Sequence, residues 1–519
     1  MFAINPTRRD LLSISGGALA LSTLSSRSRA ELASAFLSGK VIDAETGDGL
    51  PGVRVSNGRD IQLTDHEGRY SIARNGDNAI FVIKPAGWTA PVDPKTMLPQ
   101  IHRAATALQA PDFALSRNEE PDAFDVVMFA DPQPGNDAEM GYLRAQLANG
   151  SMNAPAAFGL TLGDLVGDDL TLFDRYNQII AQIGLPWWNL PGNHDLDFSA
   201  ASSFDARAPW RRVFGPTTHA FEHGAATFIM LDNINLDGRG AGANPYCGQI
   251  GADNLAFVEA LLKTTPRDRL VVLCMHIPLV SATDPKDPGS NTSDADALLA
   301  LIADRPCVSF AGHMHTTEHH YLPLPGGALH HHHILTALSG SWWSGPMDPL
   351  GQPMAQSCDG APNGWHILSI NGAAYSTRFV SGREPAQMRI MLAGEAEATT
   401  DPLARRMASS IVPASALADT KILVNIFDGG PRTKVDACVN GCSPSTMARA
   451  SRPDPVTQQL FQLAGATRKP WVRAEPSSHI WQADLPAHLA CGLHRLKVTA
   501  TNEYGKAYQG VLIFEITEG

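Results

Sequence analysis

The chain has little positive charge and no long uninterrupted apolar run. Its 519 residues carry 40 Lys and Arg against 52 Asp and Glu, a net charge of −12. Because binding to a phosphate backbone depends on clustered Lys and Arg, this balance argues against nucleic acid as a bulk partner. The apolar segment from Ile14 to Leu24 is interrupted by Ser, Thr and Gly and is shorter than the roughly 20 residues that span a bilayer. We therefore expect no stable membrane span in the mature protein.

Cysteine is also scarce, with seven in the chain. Cys438 and Cys442 flank a Val-Asn-Gly turn that is compatible with a local disulfide in an oxidising compartment. No second cysteine pair in the sequence has the spacing of a zinc knuckle, so zinc binding by this pair is the less favoured interpretation. Cys274 and Cys307 lie in apolar runs typical of buried strands, where a thiol behaves as a small inert hydrophobic group.

The first 35 residues have the pattern of an export signal. Thr7 to Leu12 contains the pair Arg8 and Arg9, the apolar segment follows, and a small-residue site lies at 33–35. This resembles a twin-arginine signal peptide. The resemblance implies transport by the twin-arginine export machinery and a periplasmic or secreted location. An uncleaved N-terminal anchor remains the alternative.

Polar side chains follow five strand-like apolar runs. The runs are 124–130, 158–162, 183–189, 270–275 and 307–311, and the residues just past their ends are Asp131 and Gln133, Asp164, Asn193 with His194 and Asp195, His276, and His313 with His315. A single Asp or His after a strand is usually a turn or cap residue. Open α/β sheets, however, bind ligands at the carboxyl ends of their strands. Five such ends in order predict one shared site.

This order of motifs resembles the calcineurin-like metallophosphoesterase superfamily, whose pattern is DxH, GDxx(D), GNH(D/E), H and GHxH. The resemblance implies a four-layer α/β/β/α core that carries two metal ions. Asp131, Gln133, Asp164 and His315 would then hold the first ion. Asp164, Asn193, His276 and His313 would hold the second, with Asp164 as the bridge.

The same resemblance assigns the catalytic residues. His194 would donate a proton or hydrogen bond near the leaving oxygen, and Asp195 would fix its tautomer. Gln133 departs from the family, which usually has His there, and its amide oxygen is a weaker ligand than an imidazole nitrogen. Asp168 and Asp169 are candidates only for the loop or the surroundings of the ligands.

The ligand types predict the chemistry. Mixed carboxylate, amide and imidazole donors suit divalent Mn, Fe or Zn better than Mg or Ca. Two such ions about 3.5–4 Å apart bind phosphoryl oxygens and acidify a water. We therefore expect an exported phosphohydrolase that cleaves a small-molecule phosphate mono- or diester by attack of a metal-bound hydroxide. The alternative is a periplasmic or cell-surface binding protein with a vestigial or weakly active metal centre.

The length predicts about three domains. Residues 36–118 alternate short β runs with turns, and they resemble transthyretin-like or carboxypeptidase-regulatory-like sandwiches. Residues 122–381 form the expected α/β catalytic core. Residues 384–519 again favour a β domain, similar to the C-terminal domain of a bacterial three-domain branch of the superfamily. The predicted fold class is therefore a four-layer α/β core flanked by two all-β domains.

Four further residues are candidates for substrate contact. Tyr246 lies in a long loop between Asp232 and Asp253 that forms either a lid or an ordinary surface excursion. Trp342, Trp343 and Asp359 belong to segments typical of the same branch, where the aromatic rings either stack on a substrate or close the core.

Four consecutive histidines, His330 to His333, are the least usual feature of the sequence. Because side chains alternate along a strand, at most about half of them can approach one site. The favoured interpretation is a structural or peripheral role, with accessory metal binding by His331 and His333 as the lesser hypothesis.

Overall fold

The computed structural model describes residues 36–75, 79–103, 112–148, 155–236, 245–382, 386–394 and 410–518. The predicted export signal, residues 1–35, lies outside these ranges. Within them, no helix is both long enough and apolar enough to cross a membrane.

The N-terminal part is built from short strands. They are β1 (Phe36–Asp43), β2 (Arg54–Ser56), β3 (Ile61–Leu63), β4 (Arg69–Ala73), β5 (Ile80–Ile83), β6 (Trp88–Thr89), β7 (His102–Arg103) and β8 (Phe113–Arg117). One sheet has the order β4-β1-β8-β6 and the other β3-β2-β5-β7. Alternate side chains of β1, such as Leu37 and Val41, are buried with Val55 and Val82 of the second sheet, as in a small sandwich.

The central part alternates strands with helices. Its strands are β9 (Ala123–Phe129), β10 (Phe158–Leu162), β11 (Trp187–Leu190), β12 (His219–His223), β13 (Ala226–Leu231), β14 (Ile234–Asn235), β15 (Cys247–Gly248), β16 (Leu270–Met275), β17 (Cys307–Ala311), β18 (Glu318–Pro323), β19 (Leu329–Ile334), β20 (Trp365–Asn371) and β21 (Ala374–Val380). Its helices are α1 (Asp137–Ala148), α2 (Phe173–Ile180), α3 (Ser203–Ala206), α4 (Ala208–Phe214), α5 (Ala252–Lys263) and α6 (Ala295–Ile302).

Two mixed sheets organise this central part. The first has the order β11-β10-β9-β20-β21, and the second β12-β13-β16-β17-β19-β18. β9, β10 and β11 are mutually parallel, as are β13, β16, β17 and β19. Parallel neighbours bring their carboxyl ends to one edge, which is where the predicted site residues follow the strands.

The burial of successive strand residues explains the layering. Val126 and Met128 of β9 share one core with Phe228 and Met230 of β13. The intervening Val127 of β9 faces outward onto α1 and α2. In the same way, residues of β13 and β16 face α5 and α6 on the other side. Strands buried on both faces are near-continuously apolar, which is why these runs are readable in the sequence.

The C-terminal part contains β22 (Met388–Gly394), β23 (Ile411–Pro413), β24 (Thr420–Ile426), β25 (Lys434–Val439), β26 (Ser445–Thr446), β27 (Ala448–Arg452), β28 (Ser477–Asp484), β29 (Gly492–Thr501), β30 (Ala507–Thr517) and one helix among the described residues, α7 (Pro455–Leu463). The sheets have the orders β22-β24-β28-β27 and β23-β30-β29-β25-β26. Val424, Trp481 and Val498 lie in their common core. β29 and β30 form a hairpin and pair antiparallel over their whole length.

Two expectations from the sequence differ from the structure. The apolar run 183–189 begins as a short 3-10 turn that ends at Gly184 with φ of 80°, so the strand starts only at Trp187. Cys438 and Cys442 are free thiols. The Cys438 thiol instead lies 2.6 Å from the carbonyl oxygen of Cys442, so the turn does not hold a disulfide.

The N-terminal and central parts are joined by a buried ion pair. The Glu120 carboxylate accepts hydrogen bonds from Lys84 Nζ at 2.5 Å and from the amides of Gly87 at 3.0 Å and Gly224 at 3.1 Å. Burial alone raises the pKa of Glu120, but the hydrogen bond from His223 and the charge of Lys84 outweigh it and lower that pKa to about 2. Glu120 therefore stabilises the folded state in its ionised form.

We expect Glu120→Gln to lower the free energy of unfolding at pH 7 by roughly 3 kcal/mol, because it leaves Lys84 buried without its carboxylate. A carboxyl group with a depressed folded pKa contributes stability above its unfolded pKa and loses it as pH falls toward the folded value. The difference between wild type and variant should therefore shrink from about pH 4.5 toward about pH 2. Denaturant unfolding at several pH values measures it.

The matched control is Glu119→Gln, since Glu119 is the exposed neighbour in the chain. It should leave the unfolding curve close to wild type at every pH. A Glu120→Gln protein with an unchanged midpoint at pH 7 would contradict the stabilising role.

Candidate metal centre

The structure brings together the predicted ligands at one edge of the two central sheets. Asp131 and Gln133 follow β9, Asp164 follows β10, Asn193 lies in a 3-10 turn after β11, His276 follows β16, and His313 and His315 follow β17. All are buried except His313, which is partly exposed. The prediction of one shared site is thus consistent with the geometry.

The backbone at these strand ends is unusual. Five of the predicted ligands have positive φ: Asp131 at 48°, Gln133 at 48°, Asp164 at 53°, His313 at 73° and His315 at 51°. A left-handed backbone is unfavourable for a residue with a side chain, and such residues concentrate at functional sites. The same turns place the side chains into the space between the sheets' ends.

Two glycines allow the loops to approach each other. A Cβ on Gly163 would lie 2.6 Å from His276 Nδ1, and one on Gly192 would lie 2.1 Å from Asp164 Oδ1. Both distances are far below a normal contact. These positions therefore require glycine, which explains why it precedes Asp164 and Asn193.

The Asp164 carboxylate lies at the centre of the site. Its Oδ2 accepts a hydrogen bond from Gln133 Nε2 at 3.0 Å. Its Oδ1 accepts one from the His194 amide at 3.0 Å and lies 3.3 Å from His276 Nε2. One carboxylate thus contacts the loops after β9, β11 and β16.

One group of donors lies on the side of His276. His276 Nε2 lies 3.1 Å from Asn193 Oδ1 and 3.2 Å from His313 Nδ1. Its other nitrogen, Nδ1, lies 2.7 Å from the carbonyl oxygen of Leu162, which fixes the ring with Nε2 toward the site. Asp164, His276 and His313 each offer a ligand atom within 4.8 Å of the others.

A second group lies on the side of Asp131. The Asp131 carboxylate accepts a hydrogen bond from the His313 amide, and its Oδ1 lies 3.8 Å from His315 Nε2. His315 Nδ1 is hydrogen-bonded to the Gly340 carbonyl, so Nε2 faces Asp131. Gln133 Oε1 is buried and has no hydrogen-bond partner among the described residues. A buried amide oxygen in that state is an available ligand.

The charged groups of the site change one another's pKa values. Burial and the nearby Asp164 raise the pKa of Asp131 to about 7. Burial favours neutral His276, but the charge of Asp164 outweighs it and raises the pKa of His276 to about 9. Burial and the charge of His276 lower the pKa of His313 to about 3. His313 is therefore a neutral imidazole that can bind a cation directly, whereas a cation would have to displace the proton from His276.

His194 does not have the predicted partner. Its Nδ1 lies 2.6 Å from Asp168 Oδ1. Asp195 is fully buried and instead accepts hydrogen bonds from the amides of Leu165 and Gly192, at 3.0 and 2.8 Å. The prediction that Asp195 fixes the His194 tautomer is therefore wrong. Asp195 holds the two loops together, and the contact to His194 comes from an acid that was considered only as a loop or neighbouring residue.

The aromatic candidates divide into two kinds. The Trp342 ring stacks on His315 with centroids 3.8 Å apart, and Tyr246 meets His313 edge to face at 5.8 Å. Trp471 of the C-terminal part lies 6.2 Å from Trp342 and is 58% exposed. Sequence reasoning missed Trp471, because no local motif marks an isolated tryptophan some 130 residues away.

Trp343 and Asp359 are buried away from any surface that a substrate could contact. Trp343 is 4% exposed, packs in the core under the first sheet and donates to the Pro132 carbonyl. Asp359 is 1% exposed, and its carboxylate accepts from the Ala361 amide and contacts His479 Nε2 at 2.8 Å. Both are structural, which corrects their assignment as substrate contacts.

The residues present fit a pair of divalent cations. The donor set combines carboxylate, amide and imidazole groups, as transition-metal dications prefer. The orphaned Oε1 of Gln133 and the Nε2 atoms held toward the centre are further observations in favour. Asp164 lies between the two groups of donors and can serve both.

Family models match the two ends of the chain. Residues 37–118 match the N-terminal model of calcineurin-like phosphoesterases, and residues 332–508 match the C-terminal one. A curated relative, a probable cyclic nucleotide phosphodiesterase of Rhodopseudomonas palustris, is 30% identical over 169 residues, which is 31% of this chain. The match covers 57% of the length of that relative.

Solved structures give weaker likenesses. A dimetal phosphatase from Danio rerio has a TM-score of 0.35 at 12% identity, covering 51% of this chain and 97% of its own. A purple acid phosphatase from yellow lupin (Lupinus luteus) seeds has a TM-score of 0.36 at 12% identity, covering 65% and 68%. At these scores neither adds to the assignment, which rests on the sequence matches. By those matches, the chain belongs to the calcineurin-like metallophosphoesterase superfamily.

Proposed function

We propose that this protein is a dimetal phosphohydrolase that cleaves a phosphate mono- or diester. The observation that carries the proposal is the position of Asp164 between two groups of donors. Asp131, Gln133 and His315 would hold one cation, and Asn193, His276 and His313 the other, with Asp164 shared. When bound, the two cations would neutralise phosphoryl charge and lower the pKa of a water.

The protein's own groups would orient and protonate the substrate. Burial favours neutral His194, but the charges of Asp164 and Asp168 outweigh it and raise its pKa to about 9. The side chain is 31% exposed, so a leaving oxygen can approach it. His194 would donate its proton there, and Asp168 would orient the ring. Tyr246 and Trp342 would border the substrate.

Three finer assignments belong to the same proposal. A phosphodiester, for which a cyclic nucleotide is the first test, is suggested by the name of the Rhodopseudomonas relative. Export by the twin-arginine machinery to the periplasm or beyond rests on the Arg8 and Arg9 pattern. A four-layer α/β/β/α order is supported by the three separate cores around the two sheets.

The first prediction from this proposal concerns the shared carboxylate of Asp164. We expect Asp164→Asn to bind about two fewer transition-metal ions per chain than wild type, and its kcat for phosphoester hydrolysis to fall at least about 100-fold, because both cations lose their common ligand. Metal analysis and assays with p-nitrophenyl phosphate, bis-p-nitrophenyl phosphate and a cyclic nucleotide measure these changes.

Asp169→Asn is the control, since the Asp169 side chain bonds only its local turn residue Thr171 among the described residues. It should retain wild-type metal and activity. Equal metal content in wild type and Asp164→Asn would refute the dimetal assignment. Bound metal with no hydrolysis of any ester would favour the binding-protein alternative.

The second prediction concerns the Asp168–His194 contact. We expect Asp168→Asn to lower kcat about tenfold and His194→Ala about 100-fold or more, since general acids contribute on that scale. Both losses should be larger for phenyl phosphate than for p-nitrophenyl phosphate, because a poorer leaving group depends more on the proton. Metal content should not change.

Asp169→Asn again provides the matched comparison, one residue away on the same loop. If the loss in Asp168→Asn were the same for both leaving groups, Asp168 would act on the fold of the loop rather than on proton donation.

A further inference from the structure

A second convergence of ligand atoms lies away from the site described above, between the central and C-terminal parts. Its members, which we term the interdomain histidine cluster, are His319, His333, His366 and Asp428. His319 is on β18, His333 on β19 and His366 on β20, while Asp428 follows β24. The cluster therefore combines both central sheets with the C-terminal domain.

The geometry of the cluster centres on one atom. The Nε2 atoms of His319, His333 and His366 lie 3.2, 3.1 and 3.2 Å from Asp428 Oδ1. The three imidazole side chains are 0% exposed and the Asp428 side chain is 8% exposed. Ligand atoms of His319, His333 and Asp428 all lie within 4.8 Å of one another, and His366 lies outside that group and joins it through Asp428 Oδ1.

Hydrogen bonding alone accounts poorly for this arrangement. A carboxylate oxygen has two lone pairs, and three imidazole N–H groups would compete for them. Neither ring nitrogen of His333, nor Nδ1 of His366, has a hydrogen-bond partner of acceptable geometry among the described residues. Buried polar groups in that state are costly, and one of them, His333 Nε2, lies 3.1 Å from Asp428 Oδ1.

The donor types and the nitrogen-to-oxygen distances suit a transition-metal dication. Three imidazole nitrogens and one carboxylate oxygen form a ligand set that suits Zn²⁺. Tetrahedral ligands at about 2.0–2.1 Å from the metal are roughly 3.3 Å apart, close to the nitrogen-to-oxygen distances of the cluster. A full set of four protein ligands is typical of structural sites, whereas catalytic sites keep an open position.

The surroundings hold one ligand in the required orientation. His319 Nδ1 lies 2.9 Å from His331 Nε2, and His331 Nδ1 lies 2.9 Å from the Tyr375 hydroxyl. Metal-bound histidines commonly bond a partner through the second ring nitrogen, and that partner fixes the ring. His331 thus supports His319, while His330 and His332 turn to the opposite side, to Ser309.

We propose that the interdomain histidine cluster binds one divalent transition-metal ion, with Zn²⁺ the best fit, and that the ion clamps the C-terminal domain to both central sheets. This site is distinct from the dimetal centre and does not rest on the proposed hydrolysis. It assigns the histidine run a role through His333 and its support His331, rather than through His331 and His333 as equal ligands.

The test measures zinc in the full chain. We expect purified Asp164→Asn, which lacks the shared ligand of the dimetal centre, to retain about one Zn²⁺ per chain after exhaustive dialysis. Asp164→Asn with His333→Gln should retain none. Asp164→Asn with His330→Gln is the matched control on the same strand and should keep the ion. Zinc that persists without His333, or that is absent from Asp164→Asn alone, would overturn the proposal.

A second measurement needs no change in the cluster. Asp164→Asn exchanged into cobalt(II) should show the intense visible absorption of a four-coordinate ion, and the absence of such bands would also refute the site. Failure of the dimetal assignment gives a different result, because wild type and Asp164→Asn would then carry the same single ion.

Discussion

The candidate metal centre at the edge of the two central sheets depends on one buried carboxylate, that of Asp164. Its two oxygens contact Gln133 Nε2, the His194 amide and His276 Nε2, so three loops from both sheets take their positions from it. An ionised carboxylate without water is costly unless donors or cations surround it. The charges of His276 and His194 hold its pKa below the usual range, although burial acts in the opposite direction. The positions of the ligand side chains and the charge balance of the site therefore depend on the same carboxylate.

The backbone of the loops that carry these side chains is strained. Asp131, Gln133 and Asp164 adopt positive φ, which is uncommon for residues other than glycine although Asp tolerates it better than Gln, and Gly192 lies too close to Asp164 to carry a side chain. Apolar strands packed on both faces hold these loops, so the fold supplies the free energy that keeps the loops strained. A rigid sheet with short loops at its ends explains why ligands from five strands can meet within a few ångströms.

Much of this was readable from the sequence because it is local. Strands such as β10, β16 and β17 are nearly continuous apolar runs, and each predicted metal ligand follows a strand of this kind within a few residues. Contacts between distant segments were not readable. Asp195 is next to His194 in the chain, yet Asp168, 26 residues away, contacts the ring. Nothing local distinguishes these acids, since the choice depends on how the loops after β10 and β11 pack. Asp428 and Trp471 were missed for the same reason.

The C-terminal domain contributes to the frame of the site. Asp359 follows the ligand loops in sequence and contacts His479 of the C-terminal part, while Trp471 lies against Trp342, which stacks on His315. The family model for the C-terminal region spans residues 332–508, so it begins on β19 and crosses the boundary predicted near residue 384. A unit that spans this boundary makes physical sense, because β19, β20 and the C-terminal domain meet around Asp428. The same buried polar contacts hold β19, β20 and the C-terminal domain together. A change in these strands or in that domain is therefore expected to alter the surroundings of His315.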